Sequence, residues 1–71
     1  MSAPRFTFDQ LAAAAERELR FRQRVYARRV LLGKMTRAKA DDEIGLMKAI
    51  ADHMRMEADR DSLFGSSAGG R

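Results

Sequence analysis

The sequence predicts an all-α protein, a two-helix antiparallel hairpin that dimerises into a four-helix bundle. Three observations carry this expectation. Two long stretches repeat apolar residues at helical spacing, only Gly33-Lys34-Met35-Thr36 separates them, and each has more apolar surface than one neighbouring helix covers. A connection that short leaves room for a tight reversal and little else.

The first helix is expected over about residues 8–32. Thr7 can cap its free N–H groups, Gln10 can reach back three residues later, and Phe6 can staple onto Leu11. Ala12 to Ala15 and the following Glu, Arg, Leu and Gln residues favour helix, and no proline or glycine intervenes before Gly33. Gly33 supplies the left-handed residue that ends many helices, and Arg28 and Arg29 suit the negative end of the dipole. The turn spans residues 33–36. Thr36 is the second N-cap, and the second helix should run over about residues 37–59, with Asp41, Asp42 and Glu43 near its positive end and Gly45 as an interior weakness. Residues 1–6 read as an N-terminal arm, 7–64 as the hairpin and 65–71, rich in glycine and serine, as a flexible tail.

A chain of 71 residues is one domain at most, and a domain so small buries only about 60% of the surface its unfolded chain exposes. With no cysteine and a single histidine, disulfides and metals are not its means of support, so self-association is the expected one. No secretory signal pattern opens the chain and no apolar run approaches the roughly 20 residues that span a bilayer, so a soluble cytoplasmic protein is expected. The net charge of +4 suits an acidic partner. It is unevenly placed: from Asp9 to Leu32 six arginines face three acids (+3), and from Arg37 to Asp61 five bases face seven acids (−2).

At about 100° per residue, Phe8, Leu11, Ala12, Ala15, Leu19, Tyr26 and Val30 share one arc of the first helix. Ala40, Ile44, Met47, Ile50, Ala51, Met54 and Ala58 form the matching stripe on the second. Counting back from the turn sets Tyr26 near Glu43 and Leu19 near Ile50. A second arc, Ala14, Phe21, Val25 and Leu32, exceeds what one partner helix covers, and Leu46, His53 and Phe64 extend the other stripe to one side. If both extensions face the same way, Phe21, Val25, Leu32, Leu46 and His53 make an interface for another copy. The alternative is that these residues stay partly exposed, or that Phe6, Leu63 and Phe64 fold back over them.

The charges divide into two groups. Glu18, Arg22, Tyr26, Arg29 and Glu43 are placed to form a polar clasp between the helices, since charge among apolar neighbours needs a partner. Arg17, Arg20, Arg24 and Arg28 line the opposite side as a ridge, interrupted by Glu16 and with no aromatic interleaved for base stacking. Such a ridge is a solvated face, a surface for an acidic protein, or a phosphate-binding strip. A sequence-reading DNA helix is disfavoured because Asp41, Asp42 and Glu43 would meet phosphate first. Pairs spaced by four, Arg37 with Asp41, Lys48 with Asp52 and Arg55 with Asp59, read as support for a solvated helix face. His53 has no second ligand at metal spacing and Glu57 one turn away, and Met56 is the exposed methionine. No nucleophile–base pair or metal set is present, and no cofactor is expected.

The run Arg24-Val25-Tyr26 with Arg29-Val30, then Gly33-Lys34-Met35-Thr36, then Ala40-Asp41, Glu43-Ile44, Met47 and Ala49-Ile50 resembles a pattern in short uncharacterised proteins of bacterial and prophage genomes. It covers about the middle third of the chain. The resemblance implies a compact hairpin and a phage context, and it carries across no catalytic residue. Small phage proteins often bind host proteins, which favours an adaptor or inhibitor role by analogy. The expected function is therefore a non-enzymatic protein–protein interaction module, with non-specific nucleic-acid binding through the arginine ridge as the alternative.

Overall fold

The computed structural model describes residues 5–63 and consists of two helices, α1 (Phe8–Leu31) and α2 (Arg37–Asp61), packed side by side as an antiparallel hairpin. The expected arm and tail therefore lie largely outside the described residues, as does Phe64. At α1's start the Thr7 hydroxyl accepts from the Gln10 N–H at 3.1 Å, and the Gln10 side chain accepts from the Thr7 N–H at 2.9 Å. Both orphan donors are satisfied reciprocally. At its end Lys34 N–H donates to Arg29 C=O at 2.8 Å and Gly33 N–H to Val30 C=O at 3.0 Å. That pair of bonds is a Schellman cap, and it requires the positive φ of 72° that Gly33 adopts. Leu32 is the C-cap residue, one position beyond the helix proper.

Thr36 caps α2 by accepting from the Lys39 N–H at 3.1 Å. The helix passes through Gly45 and continues to Asp61, two residues beyond the expected end. Asp59, Arg60 and Asp61 carry no breaker, so nothing local stops the chain at Asp59.

Among the described residues the buried side chains are Ala12, Ala15, Ala40, Met47, Ala51 and Ala58. Five of the six are alanines. Small side chains let two helices meet closely but remove little apolar area from water, so each contributes a fraction of what a leucine would. Leu19 packs on the cluster of Ala15, Met47 and Ala51, while Tyr26, Val30, Ile44 and Met54 are half-buried beside the seam.

One expectation about this core needs correction. Phe8, Leu11 and Ile50 remain 39%, 38% and 44% exposed. Phe8 lies in the first turn, at the end of the hairpin, and the other two stand at the edge of their stripes, where alanine contacts between the helices leave them outside the seam. Leu19 packs on the cluster that includes Met47 and Ala51, the neighbour of Ile50, and Glu43 reaches Arg22.

Candidate functional site

Two cross-helix ionic contacts define the two edges of the hairpin. On one edge Arg55 of α2 forks onto Glu16 of α1, with both nitrogen–oxygen distances 3.0 Å, and also reaches Asp9 at 2.9 Å. Asp9 and Glu16 are seven residues apart and so share one edge of α1, two turns apart. Arg55 lies between them. The spacing of four predicts Arg55 with Asp59; the structure instead pairs Arg55 across the seam with Glu16, the residue that interrupts the arginine ridge. Arg55 sits beside the buried stripe, where a long fork spans the seam more readily than it folds back along its own helix. Lys48 and Asp52 do pair at 2.7 Å.

Hydrogen bonding from Arg55, then its charge and that of Arg20, hold the Glu16 carboxyl below the ordinary value of 4.5, against opposing desolvation and the charge of Asp52. The hydrogen bonds that Arg55 donates to Glu16, and then to Asp9, hold its guanidinium more firmly protonated. A depressed carboxyl pKa in the folded state contributes stability that is complete above the unfolded value and is lost as pH falls through the lower folded value. Thermal unfolding followed by circular dichroism at low salt should therefore show stability declining below pH 4.5, the ordinary value, and Arg55→Met should flatten part of that acid limb. An unchanged acid limb in Arg55→Met would remove Glu16 as its source.

On the other edge Glu18, Arg22 and Glu43 form the expected clasp. Arg22 donates to Glu18 at 3.1 Å, lies 3.5 Å from a Glu43 carboxylate oxygen, and donates to the Glu43 backbone carbonyl at 3.4 Å. Lys39 completes the group at 3.2 Å from Glu43. Tyr26 is half-buried near Arg22, and its hydroxyl makes no hydrogen bond among the described residues. Arg29 is exposed and forms no ion pair among the described residues, so it stands outside the clasp, and Glu43 meets Arg22 instead.

These contacts establish which side the leftover apolar residues occupy. By the 100° spacing Val25 and Leu32 lie about 60° and 80° round α1 from Arg22, Phe21 stands further round at about 100°, beside the arginine row, and Ile50 and Leu46 lie about 20° and 60° from Glu43 on α2. Both extensions thus face the same way. Phe21 is 49%, Leu32 57% and Leu46 58% exposed, while Val25 is half-buried. His53 lies at the outer rim of this flank, its side chain 62% exposed, with Nε2 4.0 Å from Glu57, too far for a hydrogen bond. Among the described residues Phe6 and Leu63 are themselves exposed, and Phe64 lies outside those residues. The opposite edge carries Asp9, Glu16, Gln23, Lys48, Asp52 and Arg55, and towards the turn an open depression lined by Ala27, Val30, Leu31 and Ile44, with Leu31 87% exposed.

Arg17, Arg20, Arg24 and Arg28 are all exposed on the side of α1 away from α2, and none forms an ion pair among the described residues. One aromatic does stand beside this row. The Arg24 guanidinium lies 5.9 Å from the centre of the Phe21 ring, at the outer limit of a cation–π contact, so the row and the apolar flank adjoin. The spacing of three between Phe21 and Arg24 was the sequence signal for it. Surface depressions near Phe6, the α2 end and the turn are open clefts rather than enclosed cavities. Among the described residues no His, Asp and Glu side chains gather into a set able to hold a metal ion, and no helix is long and apolar enough to cross a membrane.

Comparison with protein-family models, with curated proteins and with solved structures returned no match to this chain.

Proposed function

We propose that this protein is a small, non-enzymatic protein–protein interaction module of adaptor or inhibitor type, which pairs with a second copy through its apolar flank and offers its arginine row to an acidic protein. The single observation that supports the reading is that half of the ten large apolar side chains exposed among the described residues lie toward one side of the hairpin. Leu11, Phe21, Leu32, Leu46 and Ile50 together leave about two and a half side chains' worth of surface uncovered. At roughly 200 Å² for a large side chain this is roughly 500 Å² per copy. Two copies joined there would bury about 1,000 Å², the point at which specific interfaces begin. A core built from alanines gives the hairpin reason to add that burial.

The four unpaired arginines favour a second reading, non-specific binding of nucleic acid. Its signature is steep loss of affinity with salt. Sedimentation across a concentration series, with titration of a mixed DNA and RNA pool at low and high salt, separates the two. A dimer that ignores the pool at low salt is the expected result. Strict monomer behaviour at high micromolar concentration would sink self-association, and steep salt-dependent binding would transfer the arginine row to the nucleic-acid reading. The same proposal places the protein in the cytoplasm, in keeping with a chain free of cysteine. A phage context rests on the resemblance alone.

A further inference from the structure

We infer that two hairpins pair flank to flank about a two-fold axis parallel to the helices, with both Gly33 to Thr36 turns at the same end and α1 of each copy beside α2 of the other. This rests on the self-association reading and adds the arrangement. Two hairpins stacked on one face with their helices aligned have two closed solutions. An axis along the helices sets each α1 antiparallel to the partner's α2. An axis across the helices sets α1 against the partner's α1 and puts the turns at opposite ends.

Charge separates the two. With α1 at +3 and α2 at −2, the first solution makes neighbours of opposite sign and leaves like helices on the diagonal. The second brings two rows of exposed, unpaired arginines alongside each other. Register agrees with the first solution. Arg22 meets Glu43 within each hairpin, so a shared end carries the partner's Asp42 level with Arg24 and on the same outer side as Arg24 and Arg28. Leu46 adjoins Met47, which packs with Ala15 and Leu19, so the partner's Leu46 arrives about level with Leu19, within one helical turn of Phe21. One register therefore satisfies both the apolar and the ionic contacts. It also places the two arginine rows on opposite outer sides of the pair, which makes the dimer bivalent toward acidic partners.

The test uses the full chain. With no native cysteine, Lys34→Cys in the exposed turn accepts a single nitroxide label, and Ser62→Cys labels the other end in a second sample. A shared end requires label separations of roughly two helix diameters, about 20 to 25 Å, at both positions. The crossed solution requires about 35 Å or more at both, since α2 alone is roughly 37 Å long. Short distances at both ends support the arrangement, and long distances overturn it while leaving self-association standing. Absence of dipolar coupling at high micromolar concentration would instead overturn the self-association reading on which it rests.

Discussion

On the proposed self-association, Phe21→Glu is expected to convert a dimer to a monomer while leaving helicity partly intact. In the single hairpin Phe21 is half exposed, touches the Arg24 guanidinium and contributes nothing to the buried stripe, so a carboxylate there costs the fold little. In the paired state the same carboxylate sits against the partner's apolar flank. Burying a phenylalanine side chain contributes about 1.5 to 3 kcal/mol, and a two-fold pair loses it twice. A total of about 3 kcal/mol or more weakens association by at least about 100-fold. Sedimentation equilibrium measures the mass and far-ultraviolet circular dichroism the helix content. Phe21→Leu, which keeps an apolar side chain, should remain paired. Unchanged mass in Phe21→Glu would mean that the copies meet elsewhere.

Ala51→Leu should produce the largest loss of stability from a single substitution in the seam. Ala51 is 1% exposed and packs with Ala15 and Met47 where the helices meet, so three added carbons must push the helices apart or force neighbours from their rotamers. Overpacking of this kind costs about 1 to 3 kcal/mol. In a domain of this size each kcal/mol lowers Tm by about 4 to 8 °C. Leucine and alanine are both strong helix formers, which leaves packing as the cause. Ala49→Leu, two residues away and exposed, is the control and should leave Tm nearly unchanged. Equal melting of the two variants would show that the helices do not approach closely at Ala51.

Much of the fold was legible because its signals are local. Thr7 with Gln10, Thr36 with Lys39, and Gly33 with the carbonyls behind it each lie within a turn of their partners, and backbone geometry leaves such residues few roles. The stripes of Ala12, Ala15 and Leu19 and of Ala40, Met47 and Ala51 were legible for a similar reason, as helical periodicity ties spacing to facing direction. The Glu18, Arg22 and Glu43 clasp was readable because each charge fell among apolar neighbours. Arg55 was not. Its partners are 39 and 46 residues away, and an equally good local spacing to Asp59 competed for it.

By itself the sequence determined the two helices, the reversal at Gly33, the faces that meet, and the identity of the apolar and basic residues left over. All of these follow from interactions spanning a few residues or from the fixed angle between successive side chains. Only the tertiary structure decided the Arg55 clamp, and the fact that the Arg22 edge of α1 and the Leu46 and Ile50 edge of α2 come to lie on one side. Those outcomes depend on how alanine, leucine and methionine interlock across the seam, a property of two surfaces in contact that neither helix carries alone.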